Sequence, residues 1–198
     1  MTTETTLKRG SEIIISIESL AFGGKGLARY NNIVIFVKNG IPGQKLKVVI
    51  IKKSKQYLEA KILEIISESK YYIEPVCQHF KYCGGCSFQN LDYEIQIQQK
   101  TKQIKDIFER IGSQKDYITY PLQKCNNIYE YRNKMEFTFS NRRWILKNEP
   151  PNVESNFALG LHIPGRYDKI LDINQCHIQN NIANKILNIV KEYSQHME

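Results

Sequence analysis

The sequence predicts an α+β protein in which an OB-like β-barrel is followed by a cysteine-rich loop, a helix and a smaller β-rich region. Short runs of alternating apolar and polar residues occur near both ends of the chain, which is typical of half-buried strands. Between them, apolar residues recur at helical spacing over 93–111, which predicts one long helix. The 198 residues suffice for one large or two small domains.

Residues 1–68 are predicted to form the barrel. Ile13, Ile15 and Ile17 alternate with more exposed positions, as in a half-buried strand, and further strands are expected at 27–30, 33–37, 45–53 and 58–66. Asn31-Asn32 is typical of a two-residue hairpin turn, 41–44 contains the Pro-Gly pair of a type II turn, and the Gly-Gly-Lys-Gly run at 23–26 is predicted to be a barrel turn. Five short strands in so few residues favour a small closed barrel, whose face often carries RNA.

Residues 69–91 form a cysteine loop. Cys77, Cys83 and Cys86 lie within ten residues, and Cys176 stands alone far downstream. Three closely spaced thiols predict a loop around a metal centre, with the fourth ligand returning from a distant segment. Gly84 and Gly85 lie inside the tightest pair, and without a Cβ their backbone N–H groups can turn toward sulfur.

Two other interpretations of the cysteines compete. Disulfides are disfavoured because the N-terminus has no apolar signal region and the five cysteines are an odd number. A zinc site of four cysteines, or of three cysteines and His79, remains open. The three-plus-one distribution favours an iron–sulfur centre over zinc. Cys125 has no partner at ligand spacing and is predicted to be a small buried residue.

The linking-helix segment is assigned to 92–116, and its helix is predicted over 93–111, with Asn90 or Asp92 as the N-cap and Gly112 as the stop. Its apolar stripe comprises Tyr93, Ile97, Ile104, Phe108 and Ile111.

A central β-rich domain spans 117–178, with strands at 135–140, 157–163 and 169–173 and a surface loop at 147–155. Residues 179–198 are expected to form a C-terminal helical segment, with its helix at 180–192.

The charge balance indicates a polyanionic partner, with nucleic acid the first choice. Lys and Arg total 28 against 20 acidic residues, a formal net charge of +8. A solvated basic surface remains an equal alternative. No apolar run approaches the length of a membrane span, so we expect no membrane association and a cytoplasmic protein.

Four sets of motifs together resemble the uracil-5 RNA methyltransferases. Three short sequence motifs resemble those of the TRAM domain, a small RNA-binding β-barrel, and they lie at residues 10–13, 21–29 and 37–43. The Cys-x5-Cys-Gly-Gly-Cys-Ser-Phe-Gln run and the residues up to 100 resemble the family's iron–sulfur segment. Tyr-Arg-Asn-Lys-Met-Glu-Phe at 131–137 resembles its central-domain motif, and 171–178 resembles the segment with the fourth cluster ligand.

The resemblance implies a [4Fe–4S] cluster bound by Cys77, Cys83, Cys86 and Cys176. It also implies a Rossmann-like catalytic domain that binds S-adenosylmethionine, whose Gly-rich turn is not found in this sequence. We therefore expect the RNA-recognition half of an S-adenosylmethionine-dependent RNA uracil-5 methyltransferase, inactive by itself and acting on 23S rRNA rather than tRNA. S-adenosylmethionine would bind only in the missing domain, which would follow the C-terminal helix and pack on 93–111. Without that domain, the helix face would favour self-association.

Recognition of RNA needs cations for phosphates and flat groups for bases. The residues expected to contact RNA are Arg132, Lys134, Arg142, Arg143 and Arg166 in the central domain, and Lys25, Arg29 and Phe22 in the barrel. Arg132 is the first choice because its planar donor lies in the 131–137 motif. For Arg142 and Arg143, a solvated hairpin rim is an equal alternative.

Other classes of protein fit less well. The main alternative is a stand-alone RNA-binding module with a structural iron–sulfur or zinc site. An electron-transfer iron–sulfur protein would usually present an acidic docking face. A radical S-adenosylmethionine enzyme is disfavoured because the spacing here is Cys-x5-Cys-x2-Cys rather than Cys-x3-Cys-x2-Cys.

Overall fold

The computed structural model describes residues 7–150 and 152–195. The first six residues of the predicted barrel, Pro151 of the predicted surface loop and residues 196–198 of the predicted C-terminal segment lie outside the described residues. The described chain forms two compact units. The first takes in the residues up to Ile73 together with Asn90–Lys124, and the second takes in Glu74–Gln89 and the residues from Cys125 onward.

The first unit contains a six-stranded antiparallel sheet with one parallel pair. Its strands are β1 (Glu12–Ser16), β2 (Ser19–Leu20), β3 (Gly26–Tyr30), β4 (Ile33–Val37), β5 (Lys45–Lys53) and β6 (Tyr57–Ser67). Their order in the sheet is β1-β5-β6-β4-β3-β2, and only β4 and β6 run parallel. The predicted strands therefore lie where the alternating pattern indicated.

The sheet closes on itself because β1 and β2 are two halves of one bent strand. The N–H of Ile17 donates to the carbonyl of Gln44 at 2.9 Å, and the N–H of Glu18 donates to the carbonyl of Leu27 at 2.8 Å. The same chain segment thus pairs with β5 on one side and with β3 on the other. This gives the five-stranded closed barrel that the sequence predicted.

The barrel core follows the two-residue period of its strands. Leu46, Val48 and Ile50 of β5 are buried, whereas the residues between them are more accessible. Asn31 and Asn32 adopt positive φ angles of 48° and 65°, which confirms the predicted hairpin turn.

The linking helix is α1 (Tyr93–Asp106), continued by a π-helical turn over Ile107–Ile111. Asp92 caps it, as predicted, since its carboxylate accepts from the backbone N–H of the second and third residues after it. Within the first unit the helix reaches the barrel through Gln99, whose Oε1 accepts from the N–H of Leu20 at 2.9 Å. The end of the predicted apolar stripe is exposed, at 46% for Ile104, 45% for Phe108 and 80% for Ile111.

The second unit combines a three-stranded antiparallel sheet with a helix. The sheet has the order β7 (Thr138–Ser140), β8 (Ala158–Ile163) and β9 (Arg166–Asp172), and the helix is α2 (Asn181–Gln195). Prediction of a strand over 135–140 is wrong for its first half. Met135 and Phe137 pack instead against the core of this unit, and pairing with β8 begins only at Thr138.

Gly160 of β8 allows close packing in this sheet. A Cβ at this position would lie 1.9 Å from the carbonyl oxygen of Leu171, so that only glycine fits. None of the described helices has the length and apolar content that a membrane-spanning helix requires.

Candidate metal centre

The cysteine loop is folded by its own backbone hydrogen bonds. The N–H of Phe80 donates to the carbonyl of Cys77 at 3.0 Å, and the N–H of Cys83 donates to the carbonyl of His79 at 2.8 Å. These turns fold the loop without regular secondary structure. As a result, ligand-type side chains six residues apart lie on the wall of the same cavity.

All four predicted cysteine ligands line that cavity, which lies within the second unit. Cys77, Cys83 and Cys86 come from the loop, and Cys176 comes from the connection between β9 and α2. The remaining wall is largely apolar and includes Met135, Leu161, Ile173 and Ile178. The structure thus brings together the three-plus-one set that the sequence indicated.

Two of the sulfurs accept hydrogen bonds from the loop itself. The backbone N–H of Gly85 donates to Cys83 Sγ at 3.3 Å, as the glycine pair suggested. The side-chain amide of Gln89 donates to Cys86 Sγ at 3.3 Å, while its Oε1 accepts from the N–H of Cys77 at 3.1 Å. Donors of this kind surround thiolates at metal centres and tune their charge.

Burial disfavours the deprotonated thiolates, which these hydrogen bonds favour. It raises the pKa of Cys83 to about 11 and also raises the pKa of Cys77 and of Cys86. A buried thiolate is costly without nearby positive charge. The donor set therefore fits a cationic centre, which would offset this cost and hold the sulfurs deprotonated.

Among the described residues, no group of three or more His, Cys, Asp or Glu side chains has the arrangement of a site for a metal ion. A single tetrahedral zinc ion would require sulfurs about 3.8 Å apart. A centre of several metal atoms sets its ligands farther apart. The cavity that the four cysteines line has a volume of about 20 Å³.

His79 lies on the same wall. Its imidazole is 7% exposed, Nε2 lies 3.3 Å from the amide nitrogen of Gln78, and Nδ1 has no hydrogen-bond partner in the described part of the chain. Burial lowers the pKa of His79, so the ring is neutral at pH 7. The side chain considered as an alternative zinc ligand is therefore beside the cysteines.

Prediction of a buried Cys125 is wrong. The residue is exposed, and its thiol donates to the carbonyl of Asn127 at 2.9 Å. It lies in a segment without regular secondary structure, so no strand or helix carries it into a core.

Most of the predicted RNA-binding cations form ion pairs within their own unit. Lys25 Nζ lies 2.8 Å from a carboxylate oxygen of Glu59, and Lys134 Nζ lies 2.7 Å from one of Glu136. Arg29 pairs with Glu18. Such pairs leave the cations accessible, because the side chains of Lys25, Arg29 and Lys134 are 44%, 46% and 83% exposed.

The remaining predicted contacts differ in exposure. Arg142 is exposed, and Phe22 is 84% exposed beside the Gly-rich turn. Arg132 is exposed, and its Nε donates to the carbonyl of Lys134 at 3.0 Å. Arg143, by contrast, is largely buried against Glu149, with Nη2 and Oε1 3.0 Å apart.

Arg166 forms a two-pronged pair with Asp168, from Nε at 2.9 Å and from Nη2 at 3.0 Å. Sequence reasoning missed its surroundings. The guanidinium lies 5.8 Å from the centre of the Trp144 ring, and Tyr167 beside it is 87% exposed. The sequence shows only that Tyr167 stands between two charged neighbours, and its exposure could not be read from it.

Comparisons with known proteins agree with these features. Residues 6–63 match the TRAM domain. An RNA methyltransferase of Porphyromonas gingivalis is 37% identical over 185 residues, covering 90% of this chain and 40% of the relative. One of Bacteroides thetaiotaomicron is 39% identical over 178 residues, covering 88% of this chain and 39% of the relative.

A solved structure has a similar fold. The tRNA (uracil-54, C5)-methyltransferase of Pyrococcus abyssi, in complex with S-adenosyl-L-homocysteine, matches 91% of this chain and 36% of its own with a TM-score of 0.56. At 18% identity this likeness shows the fold alone. The chain spans about two fifths of the length of the two relatives, and about nine tenths of it is similar to these proteins named RNA methyltransferase, with the TRAM match at residues 6–63.

Proposed function

We propose that this chain is the RNA-recognition part of an S-adenosylmethionine-dependent RNA uracil-5 methyltransferase, and that Cys77, Cys83, Cys86 and Cys176 hold a [4Fe–4S] cluster. The observation that carries the proposal is the convergence of these four thiols on one cavity from two distant segments. The TRAM domain and the named relatives support RNA as the substrate class.

The cluster would act as a cross-link. When bound, it would supply four iron–sulfur bonds joining the cysteine loop to the segment before α2. The chain's own residues already prepare this link, because Gly85 and Gln89 donate to two of the sulfurs. The role is structural, and the chain alone carries no proposed catalytic residue.

Anaerobic purification tests the metal assignment. We expect a brown protein with about four iron and four sulfide per chain, as a [4Fe–4S] cluster requires. Stoichiometric zinc without sulfide would overturn the cluster and support the alternative of an RNA-binding module with a zinc site.

Binding measurements test the RNA assignment. Accessible cations are Lys25, Arg29, Arg132, Lys134 and Arg142. For each tenfold increase in salt concentration, log K for a single strand should therefore fall by roughly 0.7 per phosphate neutralised. We propose ribosomal RNA, so 23S rRNA fragments should bind more tightly than tRNA at equal salt. A preference for tRNA would reassign the substrate, and no binding at low salt would overturn RNA recognition.

The exposed end of the helix stripe is the proposed contact for the methyl-transfer domain. Ile104, Phe108 and Ile111 are exposed apolar side chains that a second surface would cover. In its absence the chain would self-associate through this face. Sedimentation of wild type against an Ile104→Lys/Ile111→Lys variant tests this, since only the wild type should form dimers or larger species.

A further inference from the structure

The β8–β9 hairpin presents an aromatic pair to solvent. Tyr167 is 87% exposed, His162 is also exposed, and their ring centres lie 6.4 Å apart. A tyrosine that buries so little of its ring gains almost nothing for the fold. Its exposure leaves the ring accessible to another molecule, and the rings and cations beside it decide what it could bind.

Two cationic residues lie on β9 near Tyr167. Arg166 and Lys169 enclose Tyr167 in sequence, and both lie near Trp144, with the guanidinium 5.8 Å and the ammonium 5.9 Å from the ring centre. Asp168 binds Arg166 through Nε and Nη2, which fixes the guanidinium and leaves Nη1 outside that pair. The hairpin thus combines flat rings with oriented cations.

The cysteine loop supports the turn of this hairpin. A Cβ at Gly84 would lie 3.2 Å from Cγ of Pro164 and 3.5 Å from the carbonyl oxygen of His162. Such close approach of the loop to the turn limits movement of the hairpin. The rings are therefore presented on a supported element rather than on a free loop.

We propose that this hairpin is a stacking site for an unpaired base of single-stranded RNA. The rings of Tyr167 and His162 provide the stacking surface, and Arg166 and Lys169 neutralise the adjoining phosphates. The proposal rests on the proposed RNA-binding function and adds a named subsite to it. Stacking on exposed aromatic rings beside cations is how proteins hold single strands with little sequence preference.

Fluorescence anisotropy with a labelled uridine-rich oligonucleotide tests the subsite. Tyr167→Ala should weaken binding by about 5- to 150-fold, the range measured for loss of one stacked base. Tyr167→Phe should bind like wild type because the ring remains. Tyr120→Ala is the matched control, since Tyr120 is 80% exposed and lies in the other unit, and it should change affinity little.

Photo-cross-linking gives a second measurement. An oligonucleotide with 5-iodouridine should cross-link to Tyr167 or His162, located by mass spectrometry. If wild type binds RNA but Tyr167→Ala binds equally well and the cross-link lies elsewhere, the stacking site is wrong while the proposed function stands. If wild type does not bind RNA, both proposals fail. An equal loss in Tyr120→Ala would also overturn the subsite.

Discussion

Asn184 of α2 binds the backbone of Cys176 at two points. Its Oδ1 accepts from the N–H of Cys176 at 2.9 Å, and its Nδ2 donates to the carbonyl of the same residue at 3.1 Å. Gln179 donates to the same Oδ1 at 2.7 Å. Both side chains are buried, so a residue of the helix fixes the backbone of the distant cysteine.

Replacement of Asn184 should destabilise the second unit. In Asn184→Ala the buried N–H of Cys176 loses its partner, which should cost about 1–3 kcal/mol of the free energy of unfolding. Urea denaturation measures this. Asn181→Ala is the control, because Asn181 is exposed and its side-chain amide donates to the exposed carboxylate of Glu130, at 3.1 Å. We expect its change to stay within about 0.5 kcal/mol, and equal losses in the two variants would contradict the prediction.

Loss of Cys176 should remove the metal centre, whereas loss of Cys125 should not. Cys176 is the proposed ligand that joins the loop to the segment before α2, and Cys125 is exposed and does not line the cavity. Iron and sulfide analysis after anaerobic purification should give near-zero values for Cys176→Ser and wild-type values for Cys125→Ser. A Cys176→Ser protein that keeps its full iron content would show that the ligand is misassigned.

Local patterns predicted the barrel well, because apolar and polar residues alternate within its strands and turn-forming residues occupy its turns. Asn31 and Asn32 take up positive φ, and β5 has the predicted bounds 45–53. The bend that closes the barrel between β1 and β2 depends on pairing with two distant strands. That pairing leaves no short-range signal in the sequence.

Longer-range packing decided the points that sequence reasoning missed. Met135 alternates like a strand residue but is drawn into a core, so β7 is short. The cysteines could be predicted because their residue type is rare and closely spaced. Tyr167 could not, since its significance depends on exposure and on the rings and cations that the fold brings beside it.

Arg143 should matter for stability and Arg142 for RNA affinity. Arg143 and Glu149 are only 20% and 17% exposed, and Arg143 Nη2 donates to Oε1 at 3.0 Å. Oε2 lies 3.0 Å from Nη1 but lacks a well-directed hydrogen bond. Arg143→Ala should therefore cost about 1.5–3 kcal/mol of stability, as for a hydrogen bond between charged groups.

Exposed Arg142 is the matched comparison to Arg143. Arg142→Ala should leave the unfolding free energy within about 0.5 kcal/mol of wild type. It should also make the slope of log K against log salt concentration less steep, by the contribution of about one phosphate contact. Urea denaturation and anisotropy titrations on both variants provide the check, and the reverse pattern would assign Arg143 to the RNA surface.

The pair between Arg166 and Asp168 should make stability depend on acid pH. The guanidinium hydrogen bonds hold the pKa of Asp168 at about 2, below its value of about 3.9 in an unfolded chain. A depressed carboxyl pKa contributes stability that is present above the unfolded value and is lost as pH falls from about 4 toward 2. Urea denaturation across this range should show a steeper loss for wild type than for Asp168→Asn. Because the pair is exposed, the difference should be small and should shrink in high salt.

The control is Asp116→Asn, which makes the same change of charge at an exposed residue outside the hairpin. If it flattens the acid dependence as much as Asp168→Asn does, general charge rather than the pair is responsible.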